Sequence, residues 1–104
     1  MARKTHELEA KLSDGERVAW RALQTMPNIG PAMGYDLIRL GMRRPEDLAG
    51  RDPGELYEEL CRLDGTQHDP CVRDVMAAAV SYAETGDASP WWHFTPERKN
   101  RGRG

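Results

Sequence analysis

The sequence has no apolar run near the roughly 18 residues that a membrane span requires. Its first residues carry acids and have no apolar segment, so a secretory signal is not expected and a cytoplasmic location is predicted. Two cysteines in 104 residues are too few for a disulfide framework and are expected to be free thiols. Hydrophobic residues make up only 38% of this short chain, which disfavours a self-contained enzyme with a deep active site.

Strand signals are also missing, because no stretch alternates between apolar and polar residues and β-branched residues are scattered. Instead, proline opens and glycine closes successive segments, as expected for helices. These segments are Pro31 to Gly41, Pro45 to Gly50, Pro53 to Gly65 and Pro70 to Gly86. A capping box of Ser13 and Glu16 predicts another helix that runs to about Met26. Asp52 and Asp69 precede two of the prolines as expected N-caps.

Apolar residues recur at helical spacing within these segments. The stripes are Val18, Ala19, Ala22, Leu23 and Met26; Met33, Leu37, Ile38 and Leu40; Leu56, Tyr57, Leu60 and Leu63; and Val72, Val75, Met76, Ala79 and Ala83. We therefore predict an all-α fold, a compact bundle of four to five short helices. Residues 1–12 form an N-terminal extension, 13–86 the helical domain and 87–104 an irregular aromatic and basic tail. Trp20 lies off the stripe of its helix and is a predicted neighbour of that tail.

Charge is unevenly distributed along the chain although the formal net charge is only −2. Residues 1–45 carry a balance of +3, residues 46–87 a balance of −8 and residues 88–104 a balance of +3. A polyanion would therefore meet the first part or the tail and be repelled by the middle. The acidic middle is equally compatible with an ordinary solvated surface.

Residues 23–38 resemble a helix-hairpin-helix motif, in which a tight turn holds one buried aliphatic residue between two helices. Ile29 is expected to plug the junction, and Asn28 suits a position with positive φ. Gly30 would let a partner approach the backbone closely, and Gly34 would let the two helices cross tightly. Free N–H groups at the start of the second helix form a site for phosphate.

Such a site holds the DNA backbone without reading sequence. The candidate DNA contacts are Asn28, Ile29, Gly30, Ala32, Arg39, Arg43, Arg44, Arg98 and Lys99, with Arg21 as a further cation. Asn28 adds a side chain where a phosphate would lie, and Ala32 and Asp36 stand where DNA-binding versions of the motif often carry lysine. The alternative is that the hairpin only packs two helices together.

The chain resembles the small bacterial pathogenicity locus family of helix-hairpin-helix proteins, some of which carry a mitomycin-resistance label. The resemblance covers about residues 15–99. It rests on Met26-Pro27-Asn28-Ile29-Gly30-Pro31-Ala32, Asp36-Leu37, Leu40-Gly41, Asp47-Leu48, Asp52-Pro53, Leu56-Tyr57, Leu60-Cys61, His68-Asp69-Pro70-Cys71-Val72 and Pro90-Trp91-Trp92. The resemblance implies a compact helical domain that binds DNA, and it establishes no drug-modifying chemistry.

Cys61, His68 and Cys71 lie close in sequence and allow three interpretations. They are a metal site, a redox pair, or buried free thiols beside a histidine that ties down a loop. A helix N-terminus would lower the pKa of the Cys71 thiol, whereas Asp69 would oppose that effect. The third interpretation is favoured, so no metal or other cofactor is predicted.

The tail places Trp91, Trp92, His93 and Phe94 beside basic residues. Its rings either stack on bases or, as we favour, close the small core with at least one tryptophan.

The leading functional hypothesis is a non-catalytic accessory protein that binds DNA weakly and without sequence preference. The rival hypothesis is a protein-interaction module that presents an acidic face to a basic partner protein, with the hairpin purely structural. This face comprises Glu46, Asp47, Glu55, Glu58 and Glu59. Thiol redox chemistry or a metal site at Cys61 and Cys71 ranks third.

Overall fold

A computed structural model describes residues 5–96 together with 98 and 99. All regular secondary structure in these residues is helical, which confirms the predicted all-α class. The helices are α1 (Thr5–Ala10), α2 (Asp14–Leu23), α3 (Pro31–Arg39), α4 (Pro53–Asp64) and α5 (Cys71–Thr85), with short 3₁₀ helices η1 (Pro45–Leu48) and η2 (Trp91–Phe94). Residues 1–4, 97 and 100–104, which include the last basic residues of the predicted tail, lie outside the described residues.

Several predicted start and stop signals set helix boundaries, although α2 ends at Leu23 and not near Met26, and the N-cap of α5 is Pro70 and not Asp69. Ser13 Oγ accepts a hydrogen bond from the Glu16 N–H, and Glu16 Oε1 accepts one from the Ser13 N–H, which confirms the capping box. Asp52 Oδ1 accepts the Gly54 N–H at 2.7 Å at the start of α4. Gly65 and Gly86 end α4 and α5 at φ values of 63° and 79°, which other residues rarely adopt.

The N-terminal extension contributes to the core, which the sequence did not indicate. Leu8 of α1 is fully buried, Leu12 just beyond α1 is 6% exposed, and α1 packs against α3. Both leucines therefore attach the N-terminal residues to the core. The core joins all five α-helices and η1.

Two members of the predicted apolar stripes lie on the surface. The exposed fractions of Val18 and Leu63 are 68% and 52%, whereas Trp20 is only 2% exposed. Trp20 Nε1 donates a hydrogen bond to the carbonyl of Pro31 at 3.0 Å, so Trp20 packs against α3, and its contact with the tail stays a prediction. The large indole, with its polar atom satisfied, determines which face of α2 is buried.

The tail is more ordered than predicted, because η2 packs against α5. Beyond η2, Thr95 Oγ1 and Arg98 Nε donate hydrogen bonds to the two carboxylate oxygens of Asp74, each at 2.8 Å. Asp74 lies on α5 and is 1% exposed. A buried carboxylate without hydrogen-bond partners would be strongly unfavourable. The need of Asp74 for these partners therefore holds the segment that contains Thr95 and Arg98 against α5. Across the described ranges, none of the helices combines the length and apolarity needed to span a membrane.

Candidate nucleic-acid interface at the α2–α3 turn

Residues 24–30 connect α2 to α3 and are called here the α2–α3 turn. Thr25 and Met26 donate backbone hydrogen bonds to the last carbonyls of α2, and Ile29 donates to Met26 at 3.3 Å. Asn28 adopts φ of 72°, the left-handed conformation predicted for this position. Ile29 is 5% exposed and belongs to the core, so its side chain fills the junction as predicted.

Close contact between α2 and α3 depends on Gly34. A Cβ atom on Gly34 would lie 3.1 Å from both Trp20 Cδ1 and Gln24 Cγ, tighter than ordinary van der Waals contact. This confirms the prediction that a small residue here allows the helices to cross tightly. The same contact places the indole of Trp20 against the first turn of α3, and this fixes the direction in which α3 leaves the turn.

The N-terminus of α3 is open to solvent. Gly30 and Ala32 are exposed, and a Cβ atom added to Gly30 would meet nothing within 4 Å. Pro31 has no N–H, and the N–H groups of Ala32 and Met33 donate to no residue in the described part of the chain. The first turn of an α-helix carries unpaired donors and the positive end of the helix dipole. This end of α3 can therefore accept an anion from solution.

The side chain of Asn28 is occupied by the C-terminal segment. Its Nδ2 donates to the carbonyl of Ser89 at 3.0 Å, and its Oδ1 accepts the Trp91 N–H at 3.2 Å. The amide group of Asn28 is therefore committed to residues 89–91. Ser89 was not a candidate site residue, and no local sequence signal marks a backbone contact so distant in the chain.

We predict that replacing Asn28 separates two contributions to stability. Asn28→Gly keeps the positive φ but loses both hydrogen bonds, at a cost of about 1–2 kcal/mol in the free energy of unfolding. Asn28→Ala adds left-handed strain of about 1 kcal/mol or more. Urea denaturation measures both values, and hydrogen exchange at the Trp91 amide reports release of the segment. Equal stability of Asn28→Ala and the native chain would contradict this account.

Arg39 is not available at the turn. Its guanidinium is held between Asp36, at 3.2 Å, and Asp64, with which it forms a short ion pair. The hydrogen bond to Asp64 raises the pKa of Arg39, and the same contact holds the pKa of Asp64 below its ordinary value. The structure therefore assigns Arg39 to a link between α3 and α4.

The other predicted cations are also paired. Arg43 and Arg44 follow the C-terminal end of α3, whereas Arg21 lies in the last turn of α2. Arg43 Nη1 donates to the carbonyls of Ile38 and Met42 at 3.0 and 2.8 Å. Arg44 is more open, with 68% of its side chain exposed, and lies 3.6 Å from Asp47. Arg21 pairs with Glu9 on α1 at 2.9 Å. A nine-residue helix spans about 13 Å, so Arg43 and Arg44 are not brought to the open N–H groups.

The C-terminal segment contacts the turn through Ser89 and Trp91, whereas Arg98 is bound to α5. Arg98 binds the buried Asp74, and Lys99 is exposed beside it. Trp91 is half-buried, and its ring meets that of Trp92 edge to face with centroids 5.7 Å apart. Trp92 is 56% exposed. The sequence interpretation missed Asp74 as the buried partner of Arg98. The only sequence feature that could have indicated it is an acidic residue next to the apolar stripe of α5.

His68 ties down the loop between α4 and α5, as predicted. Its Nε2 lies 2.6 Å from Asp64 Oδ2, its N–H donates to Cys61 Sγ at 3.4 Å, and its carbonyl accepts the Tyr57 hydroxyl.

Both cysteines are free and half-buried. A hydrogen bond with Asp69, together with partial burial, raises the pKa of the Cys71 thiol, in the direction expected for the acid. Among the described residues, no group of three or more His, Cys, Asp or Glu side chains is placed to hold a metal ion.

These features define a small, all-helical protein with an exposed helix N-terminus beside a tight turn. The chain belongs to the Cdd1 pathogenicity locus family, whose model matches residues 16–100. It is 43% identical over 77 residues to a protein of Streptomyces lavendulae named mitomycin resistance protein McrB, covering 74% of this chain and 73% of that protein. No solved structure matches the chain.

Proposed function

We propose that the protein is a non-catalytic DNA-binding accessory protein whose α2–α3 turn acts as a helix-hairpin-helix motif. A backbone phosphate would be bound by the N–H groups of Ala32 and Met33. The observation that carries this proposal is the pair of unpaired donors at an exposed helix N-terminus, beside an open Gly30. Contacts of this kind fix the backbone and do not read base edges, so binding is independent of sequence.

The charge around the turn supports only weak binding. Arg21, Arg39, Arg43 and Arg44 each lie within 4 Å of a carboxylate, and the side chains of Arg21 and Arg44 are the most exposed of the four, at 66% and 68%. Few phosphates are neutralised, so we expect micromolar or weaker affinity, roughly the non-specific range. The logarithm of the binding constant should fall with the logarithm of salt concentration, with a slope of about −0.9 for each phosphate contacted.

Fluorescence anisotropy of labelled single-stranded and duplex DNA, across a salt series, tests the proposal with Gly30→Glu. A carboxylate at residue 30 would occupy the anion position and repel phosphate, so we expect binding to fall at least about tenfold. Gly30→Ala is the matched control. The φ of −94° at Gly30 suits any residue and a Cβ atom meets nothing, so this variant should bind as the native chain does.

Gly15→Glu places the same charge at the other end of α2, in exposed space. It controls for net charge and should bind within about twofold of the native chain, because an exposed charge at that distance is largely screened. Circular dichroism verifies that helicity is unchanged in each variant. The proposal fails if Gly30→Glu and Gly15→Glu weaken binding equally, or if neither form of DNA binds at low salt.

A second candidate function is a protein-interaction module that uses the acidic face. Glu46, Glu55 and Glu58 are exposed and pair with no cation within the described ranges. Asp47 is less available, since it accepts the N–H groups of Arg43 and Arg44. Affinity capture with the native chain and with a Glu55→Gln/Glu58→Gln variant tests this function. A basic partner protein retained only by the native chain would favour it over DNA binding.

A further inference from the structure

A groove with an excess of positive side chains lies between the start of α4, the start of α5 and the C-terminal segment. Its lining includes Gly54, Tyr57, Glu58, Arg73, Arg98 and Lys99. These residues lie outside the α2–α3 turn. Arg98 and Lys99 are among the candidate DNA contacts indicated by the sequence, and Glu58 belongs to the acidic face. Three of these lining residues are cations and one, Glu58, is an acid. Two further carboxylates lie nearby, because Asp74 pairs with Arg98 and Asp52 Oδ1 approaches the same position on Gly54 as Arg73 Nη2. The case for an anion therefore depends on the guanidinium donors that have no acceptor among the described residues.

Arg73 lacks a partner that a half-buried guanidinium normally has. It makes no hydrogen bond or ion pair with the residues that the structure describes. Its Nη2 and Nε atoms would lie 3.1 and 3.3 Å from a Cβ atom on Gly54, so the guanidinium rests directly against the backbone of α4. A charge that has lost part of its hydration without gaining an acceptor is costly, and an anion from solution would relieve that cost.

Arg98 is held in place beside it. Its Nε donates to the buried Asp74, whose other oxygen accepts the Thr95 hydroxyl. This anchor uses one edge of the guanidinium, and the Nη groups have no acceptor among the described residues. An arginine fixed through Nε presents its remaining N–H donors without further loss of side-chain freedom. Lys99 adds a third positive charge, and Glu58 opposes the three from α4.

We propose that this groove binds a phosphate group, which Arg73 and Arg98 hold by charge-assisted hydrogen bonds with Lys99 as a supporting charge. Planar guanidinium groups match the geometry of phosphate oxygens, and two of them lie in one groove. The phosphate comes either from a small phosphorylated molecule or from the backbone or end of a DNA strand. Binding here is independent of the N-terminus of α3.

Nuclear magnetic resonance titration of the full chain with inorganic phosphate and pyrophosphate, against chloride at equal ionic strength, tests the site. The expected result is saturable shifts of the Arg73 and Arg98 Nε–H signals and of the Gly54 amide. Arg73→Gln should weaken binding about tenfold. Arg73→Lys, which keeps the charge but loses the planar fork, should also weaken it, whereas Glu58→Gln should strengthen it about twofold. Arg62→Gln is the charge-matched control for Arg73→Gln. Arg62 is exposed on α4 and does not line the groove, so this variant should bind phosphate as the native chain does.

Absence of shifts at these three groups, or equal weakening by Arg73→Gln and Arg62→Gln, would overturn the proposal. Equal phosphate binding by Arg73→Lys and the native chain would mean that only general charge attraction acts in the groove, which would also overturn the proposal. Oligonucleotides with and without a 5′-phosphate identify the source of the phosphate, because a difference that Arg73→Gln abolishes assigns it to a DNA end. Gly30→Glu leaves phosphate binding at this groove unchanged, so failure at the turn is distinguishable from failure here.

Discussion

Replacing Leu8 by alanine is expected to lower the free energy of unfolding by about 3 kcal/mol, within the range for a fully buried leucine. Leu8 has no exposed surface and attaches α1 to the rest of the core. The loss combines the transfer free energy of the missing methyl groups with the cavity that remains. Urea denaturation followed by circular dichroism measures the change, and amide hydrogen exchange of residues 5–10 shows whether α1 is released alone.

Val18→Ala is the matched control for Leu8→Ala. Val18 is 68% exposed on α2, so removing its methyl groups should change stability by no more than about 0.5 kcal/mol. The sequence pattern alone gives the opposite order, because it places Val18 in an apolar stripe and Leu8 in an extension. A cost for Val18→Ala as large as that for Leu8→Ala would show that the assignment of the buried face is wrong.

Replacing Arg98 by methionine is expected to cost about 3 kcal/mol, because it leaves the carboxylate of Asp74 without its charged partner. Asp74 is 1% exposed on its side chain, whereas Arg98 is 21% exposed. The reverse change, Asp74→Asn, leaves the more exposed partner unpaired and should cost less, about 1–2 kcal/mol. Chemical denaturation of both variants establishes the order, and Trp91 amide exchange reports whether the C-terminal segment separates from α5.

The double variant Asp74→Asn/Arg98→Met provides the control for this pair. It removes both charges, so its cost should be smaller than the sum of the two single changes. Additive costs would mean that the ion pair between Asp74 and Arg98 does not stabilise the docked segment. A greater cost for Asp74→Asn than for Arg98→Met would contradict the expected order.

Most helix boundaries and the shape of the α2–α3 turn follow from the sequence because their causes are local. The Ser13–Glu16 capping box acts over three residues, and the left-handed conformation of Asn28 depends on its own backbone. Gly34 was also predictable, since a small residue at one position of an amphipathic helix indicates a close neighbour. The neighbour itself, Trp20, was not, because which face of α2 is buried depends on how an indole fits against α3.

The C-terminal segment was not predictable for a different reason. Its anchors are Asn28 and Asp74, which are far from residues 89–98 in the chain, and each has an ordinary local interpretation as a turn residue or a solvated acid. The candidate cations illustrate the same limitation. The sequence indicates how many arginines surround the turn, but their availability depends on carboxylates such as Glu9 and Asp64 brought near them by the fold.

The hydrogen bonds of Asn28 to Ser89 and Trp91 connect residues 61 and 63 positions apart. Helices form in microseconds or less, whereas contacts between distant segments require closure of a long loop and form later. We therefore expect pairing of α2 with α3 to precede attachment of residues 89–91 during folding. During synthesis, α3 leaves the ribosome before residues 89–91, which bind Asn28. The N-terminus of α3 is therefore complete before the C-terminal segment can attach beside it.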